Sequence, residues 1–435
     1  MRSTTVLVAL LLVLAGCGAG GSVGPSGPLA DGAGAPSGVD RTETPAPNAT
    51  TVTTPTKPDA TPAPRSLADT YDIETEGGVL PVDYSLVHAR VTVMVNRTDT
   101  APPEEVVIEP NARMGIGTSR YPEFYRLLGI RIPEDRDRAL TAAAYVSGPE
   151  TVTVNRLILN RTGDTERTLA HESVHVVQYR TGAFRRTSEG VLAGRPTTDD
   201  SLVQRSITEG IATYTESAYA ERYGSDNAMP IRTMGERYRN GSGAVRFGLA
   251  PYYFGARYAD RRVDSPAETR EIYRDPPRTT EELIHGAEPG SEPVENPDVA
   301  SRDGDGWEVV PGSRDSFGEL FVRVVLGSPM NESVAAWGAD GWAGDRRVAF
   351  RDTSASGRTV GYAWALTFED RANATEFEAA FAEWRKARPG EGPIRTERVG
   401  AETVVAYLGD ESFVESADAS QGAGTVTVSV EDGST

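Results

Sequence analysis

Several residue types are scarce in this 435-residue chain, and each scarcity excludes something. Cys17 is the only cysteine, so no intrachain disulfide can form, and stability has to come from a hydrophobic core or a bound ion. Lysine is almost missing: Lys57 and Lys386 are the only two among 44 basic residues. Against them stand 63 carboxylates, for a formal net charge of -19. Such a balance keeps a protein dissolved in concentrated salt and argues against nucleic-acid binding, which needs a basic face. Long apolar stretches are missing too. Val6 to Leu14 gives nine residues, about 14 Å of helix against a hydrocarbon core of about 30 Å, too short for a stable membrane span. Histidine occurs four times, at His88, His171, His175 and His285.

The short apolar run follows Arg2 and ends in Leu14-Ala15-Gly16-Cys17. Residues 1–16 read as a signal peptide, and the final four look like a lipobox, which implies cleavage before Cys17 and a lipid on its sulfur. The expectation is an exported protein, lipid-anchored on the outer face of the cell membrane. Ordinary cleavage nearby, with an incidental cysteine, is the alternative. Residues 17–66 are rich in Gly, Pro, Ser and Thr, bury too little apolar surface to fold, and read as a disordered tether. Glycosylation signals of the form Asn-x-Ser/Thr start at Asn48, Asn96, Asn160, Asn240, Asn331 and Asn373. Beside an export signal they become candidate modification sites.

The most informative stretch is His171-Glu172-Ser173-Val174-His175, the H-E-x-x-H arrangement of zinc hydrolases. With histidine so scarce, a chance match anywhere in the chain has odds of roughly a few in a thousand. Gly163-Asp164 offers a turn and an N-cap, and nothing from Thr165 to Tyr179 breaks a helix. On that helix the two histidines stand one turn apart on one face, with Glu172 beside them. Two ligands and a base have that geometry. Upstream, Val91 to Val95 and Glu105 to Glu109 read as strands and Tyr121 to Ile130 as a helix. Ala142 to Val146 and Thr151 to Leu159 flank Ser147-Gly148-Pro149 as a hairpin, either an edge for pairing with extended substrate or only a closure of the core.

A polar loop is expected after Gly182, then a helix from Ser201 to Tyr223 with Asp199-Asp200-Ser201 as its start. Gly210 inside it costs about 1 kcal/mol against alanine, so a close approach to the motif helix is expected there. That approach would bring Glu209 to the histidines. Hydrolytic zinc sites use three protein ligands and leave one position for water. With no usable cysteine, the third ligand must be a carboxylate or another histidine, and Glu209 is the best candidate; its alternative is a solvated helix glutamate. The implied cofactor is one Zn²⁺. Pro251 would open a further helix, and residues 276–285 lead into a short one ending at His285.

Residues 287–306 look like a linker between a first domain, 67–286, and a smaller α+β domain, 307–416. The second shows a strand-strand-helix-strand-strand order, which implies an antiparallel sheet with a helix on one face. Trp342-Ala343-Gly344-Asp345 reads as a tight turn with Trp342 in the core, or else as a calcium or ligand site around Asp345. Residues 417–435 read as a frayed polar tail.

His171-Glu172-Ser173-Val174-His175 together with Glu209-Gly210-Ile211-Ala212-Thr213-Tyr214 resembles the gluzincin metallopeptidases, whose third zinc ligand is a glutamate on the following helix. The chain also resembles an uncharacterised family of haloarchaeal surface lipoproteins. That likeness rests on His175-Val176-Val177-Gln178, on the Pro-Pro-x-Thr-Thr-Glu-Glu run before His285, and on Gly341-Trp342-Ala343-Gly344-Asp345-Arg346. The resemblance implies an α+β zincin-like fold and a cell-surface peptidase acting on peptide or protein, with no oligomeric state implied. Glu172 would be the catalytic base, and His171, His175 and Glu209 the metal ligands. Tyr214, Tyr253, Tyr258 and His285 are all candidates to stabilise the transition state, and His88 reads as structural. Thermolysin-like enzymes carry an aspartate four residues after the glutamate ligand; here that residue is Thr213, which leaves Glu216 as a stand-in to orient a histidine. The competing class is a surface binding or structural protein whose zincin scaffold holds metal without turnover.

Overall fold

The computed structural model describes residues 63–110, 122–131, 142–192, 195–224, 228–304, 306–353, 360–388 and 392–430. Cys17, Asn48, the signal run and nearly all of the tether lie outside them. After a short helix α1 (Pro64–Ala68) and strand β1 (Glu74–Glu76), Asp83 caps α2 (Tyr84–Met94) by accepting the Leu86 amide proton at 3.1 Å. The strand expected over Val91 to Val95 is instead the end of this helix. Val87 and Val91 fall on its buried face, and that packing overrides the strand preference of valine. Strand β2 (Glu105–Glu109) runs parallel to β1, and after α3 (Glu123–Leu127) come β3 (Ala144–Val146) and β4 (Thr151–Asn155). The order is β1-β2-β4-β3, with β4 parallel to β2 and β3 antiparallel at the edge. The expected hairpin is there, but β4 stops at Asn155 and Arg156–Ile158 form a 3-10 turn. Alternate residues Val106 and Ile108, with Val152 and Val154, face a core closed by the helices.

Helix α4 (Thr162–Thr181) carries the histidine motif across this sheet, its Leu169, Val174 and Val176 buried against it. Gly163 and Asp164 are already inside the helix, which starts after Arg161 and stops at Gly182 in a left-handed conformation, φ 66°. The loop expected next is a helix, α5 (Ala183–Val191). Helix α6 (Thr198–Tyr223) begins three residues earlier than its acidic start signal implied. Thr197 is the true cap: its hydroxyl accepts the Asp200 amide proton, and the Asp200 carboxylate accepts that of Thr197. There follow α7 (Pro230–Asn240) and α8 (Gly243–Arg262), and Pro251 lies within α8 rather than opening it. Short helices α9 (Arg270–Arg274) and α10 (Thr280–His285) complete the first half.

Residues 287–306 are not a free linker. They include β5 (Asp298–Ser301), and Glu295 donates its amide proton to the Ala343 carbonyl at 2.8 Å. Strands β6 (Trp307–Val309), β7 (Trp342–Asp352), β8 (Val360–Phe368), β9 (Ile394–Arg398) and β10 (Thr403–Gly409) form the expected antiparallel sheet, in order β6-β7-β8-β10-β9. Helices α11 (Gly318–Gly327), α12 (Glu332–Ala339) and α13 (Arg371–Ala387) cover one face through Phe321, Phe377, Phe381 and Trp384. The other face packs on a second sheet, in which β12 (Thr425–Val430) lies between β11 (Ala417–Gly422) and β5. A helix α14 (Glu411–Ser416) leads into β11, so residues 417–430 are paired strands and not a frayed tail. Trp342-Ala343-Gly344-Asp345 is the irregular start of β7 rather than a turn, with Trp342 in the core.

The two halves share one core. Phe124 of α3, Phe317 and Phe321 of the second half, and Trp364 of β8 pack with ring centroids 4.7 to 6.2 Å apart, the tryptophan edge-on to the three phenylalanines. Asp345 is buried beneath them and accepts protons from the Phe317 and Gly318 amides and from Trp364 Nε1. Those donors occupy the carboxylate that sequence offered as a calcium ligand. Among the described residues no helix is long and apolar enough to cross a membrane.

Candidate metal centre

Helices α4 and α6 bring three side chains to one point. One ligand atom each from His171, His175 and Glu209 lies within 4.8 Å of the others, a group that could hold a metal ion. Glu209 Oε2 is 3.5 Å from His171 Nε2 and 3.3 Å from His175 Nε2. The histidine rings meet edge to face at 4.9 Å between centroids, as the i, i+4 spacing on α4 requires.

The far nitrogen of each ring is also held. Gln178 Nε2 donates to the Thr208 carbonyl at 2.9 Å and to the Tyr273 hydroxyl at 2.8 Å, which turns its oxygen toward His175. That oxygen sits 2.8 Å from Nδ1, so Nδ1 carries the proton and Nε2 keeps its lone pair for a metal. Glu216 Oε2 plays the same part for His171 Nδ1 at 3.3 Å. Glu216 sits two turns beyond Glu209 on the same face of α6. Thr213 bonds back to the Glu209 carbonyl within its own helix.

Electrostatics agree with a cation site. Burial raises the Glu209 carboxyl, but the two rings against it outweigh that and hold it well below its usual range. Burial lowers both histidines, and the surrounding carboxylates reverse that, raising His171 well above its usual value. The donor set of two imidazoles and one carboxylate suits zinc or another borderline divalent ion. Glu172 lies in the same cluster, 6 % exposed, and its Oε2 is buried with no hydrogen-bond partner. Burial, the first cause, raises its carboxyl, while His175 and His171 pull it down. A buried carboxylate oxygen without a donor is costly and uncommon, so it marks where a proton or water is to be met.

Sequence reasoning missed Tyr252 and Arg205. Tyr252 of α8 lies nearly parallel to His171 with ring centroids 6.1 Å apart, and burial followed by the Glu209 charge pushes its phenol well above 10. Arg205, one turn before Glu209, has its guanidinium carbon 5.6 Å from the Tyr252 ring centre, where its charge counters that rise, and donates to the Gly248 carbonyl. Only a tertiary crossing brings α8 here, so no spacing rule could have separated Tyr252 from its neighbours. The stabilisers named from sequence lie elsewhere. Tyr214 donates to the Val263 carbonyl at 3.3 Å, His285 Nε2 is 3.0 Å from Glu319, and Tyr253 takes protons from two arginines. Gly210 does not pack on α4 as expected; a Cβ there would lie 2.4 Å from Gly255 Cα of α8. Asn96, Asn160, Asn240 and Asn331 are exposed, and Asn373 is half-buried against Gly341.

Residues 308–434 match a domain of unknown function (DUF8575). That stretch begins in β6 and holds the five-stranded sheet, and all of it lies C-terminal to the histidine–glutamate group. No curated protein and no solved structure matches the chain.

Proposed function

We propose that the chain is a zinc-dependent peptidase of gluzincin type, with His171, His175 and Glu209 as ligands and Glu172 as base. The observation that carries this reading is the unpartnered Glu172 oxygen, buried beside a three-donor set with both far ring nitrogens held. A structural metal needs the three donors but gains nothing from a buried carboxylate left without a partner. Zinc held by His171, His175 and Glu209 would supply Lewis acidity, lowering the pKa of the attacking water toward neutrality. Glu172 takes the proton of the attacking water and returns it to the leaving amine. Tyr252, with the Arg205 guanidinium over its ring, is the candidate to donate to the developing oxyanion. Strand β3, the sheet edge nearest α4, supports pairing with an extended peptide. The zincin reading of the first half draws on that sheet order with the motif helix packed across it. Export and lipid attachment at Cys17 complete the proposal, and would hold the enzyme at the outer face of the membrane.

Hydrolysis of fluorescent casein by purified protein, with and without chelator and with zinc restored, tests the reading. Chelator-sensitive, zinc-restored cleavage is expected. Stoichiometric zinc without cleavage of casein or a broad peptide library would move the assignment to a metal-holding surface protein.

A further inference from the structure

Against the acidic excess of this chain, three arginines gather beside Tyr253, on a different face of α8 from Tyr252. Arg239 of α7 and Arg257 of α8 each donate to the Tyr253 hydroxyl at 3.3 Å. Their guanidinium carbons lie 5.9 and 5.5 Å from that ring. Arg261 follows one turn later, its Nη1 donating to the Ile284 carbonyl at 2.8 Å, and Arg323 of α11, ion-paired with Glu319, stands close by. Burial, then Arg257 and Arg323, lower the Arg261 guanidinium below its usual value. Gly235 lets α7 approach this closely, since a Cβ there would lie 2.6 Å from the Tyr253 ring.

Among the described residues Arg239, Arg257 and Arg261 have no carboxylate in ion-pair contact, although carboxylates outnumber basic residues by 63 to 44. Asp260 acts on Arg261 without pairing with it, and a second acid, Glu332, lies within reach of the cluster's field. It feels the charge of Arg246, Arg239, Arg323 and Arg257, yet it forms no ion pair with them, and its Oε2 is buried without a hydrogen-bond partner. Arg246 is 3 % exposed, and its Nη1 is likewise buried and without a partner. Like charges converging on one phenol are unfavourable unless something of opposite charge joins them. Tyr253 already accepts from two guanidinium groups, so its own proton points away as a further donor.

We infer that Arg239, Arg257, Arg261 and Tyr253 form a binding site for a compact tetrahedral dianion of the phosphate class. Guanidinium forks match the oxygens of such a group, and convergence on a single point suits a compact dianion better than the spaced carboxylates of an acidic peptide. The dianion could come free as inorganic phosphate or be carried on a phosphomonoester such as a lipid headgroup; the shared chemistry is the phosphoryl oxygens.

Calorimetric titration of the full chain with inorganic phosphate, and separately with glycerol phosphate, tests this at fixed ionic strength. Binding by the parent is expected, weakened at least about tenfold in Arg257→Gln and in Arg239→Gln. Arg185→Gln, a surface change on α5, should leave it unaltered. Tighter binding of inorganic phosphate identifies the free anion as the ligand, and tighter binding of glycerol phosphate identifies the headgroup form. Phosphate should also raise the thermal midpoint of the parent more than that of Arg257→Gln. Should Arg257→Gln not fold, exposed Arg261→Gln takes its place. Absence of heat at millimolar phosphate, equal affinity in variants and parent, or tight binding of a glutamate-rich peptide where phosphate fails would each overturn the inference.

Discussion

Gly210 and Gly255 meet where α6 crosses α8, so closely that a Cβ on Gly210 would lie 2.3 Å from the Gly255 carbonyl carbon. A Cβ on Gly255 would collide with the Ser206 carbonyl. This contact sets the depth at which Tyr252 reaches His171, because Tyr252 lies one turn before Gly255 on the same helix.

Gly210→Ala should therefore lower stability despite alanine's better helix propensity. Overpacking of a tight crossing costs about 1–3 kcal/mol, against about 1 kcal/mol gained in propensity. Urea unfolding of parent and variant measures the balance; a stabilised variant would show that the crossing yields.

Glu172→Gln should keep bound zinc and thermal midpoint while losing about 10²- to 10⁴-fold in peptidase rate. Tyr252→Phe should also retain zinc and lose about 10²- to 10³-fold in kcat, the scale of one lost oxyanion donor. Zinc stoichiometry, midpoint and rate are to be read on the same preparations. A Glu172→Gln protein as active as the parent would remove the base from the mechanism.

Metal affinity should depend on the groups behind the ligands as well as on the ligands. Glu209→Gln should lose zinc to a weak chelator outright. Gln178→Leu and Glu216→Leu should each weaken binding about 10- to 100-fold, because a ring whose Nδ1 is unsupported is no longer held in the right tautomer. Competition against a fluorescent zinc chelator gives the ratios, and unchanged affinity in both would make these contacts incidental.

His88 should make stability fall in acid. Its ring is fully buried, both nitrogens lack hydrogen-bond partners, and Tyr71, Tyr84 and Arg180 surround it. Burial, helped by the Arg180 charge, takes its pKa from 6.5 down to about 3. The unfolded chain therefore takes up this proton first as pH falls. Stability that is complete above 6.5 should decline by about 1.4 kcal/mol per pH unit toward 3. In His88→Phe the loss between pH 7 and 5 should be smaller by about 2 kcal/mol in urea titrations. Parallel pH profiles for the two proteins would assign the acid sensitivity to other groups.

Cys17→Ser should release the protein from the membrane fraction, because a two-chain lipid on the sulfur anchors stably and the cleaved signal run cannot. Complete retention of processed Cys17→Ser protein in membranes would contradict lipid attachment there.

Much of this protein follows from local patterns. The i, i+4 pair His171 and His175, with Glu172 between, needs only a helix, and helical periodicity is a local property. The α+β composition and the antiparallel sheet of the second half were legible for the same reason, in the alternation of β8 and β10 and the amphipathic face of α13. Misreadings arose where burial outweighed preference. Val91 joined a helix because its face is covered, and residues 298–301 and 417–430 became strands because each found a partner far away in sequence.

Sequence alone determined which residues could act as ligands and base. Tertiary structure decided which groups stand behind them. Glu216 reaches His171 only because α6 packs on α4, and the Gln178 amide is turned toward His175 by the Thr208 carbonyl of α6 and the Tyr273 hydroxyl of α9. Tyr252 reaches His171, and Tyr253 the arginines, because adjacent residues on a helix point about 100° apart and α8 is wedged between two different neighbours. Spacing within one segment fixes directions, but contact between segments depends on how closely they pack, and here two facing glycines set that distance.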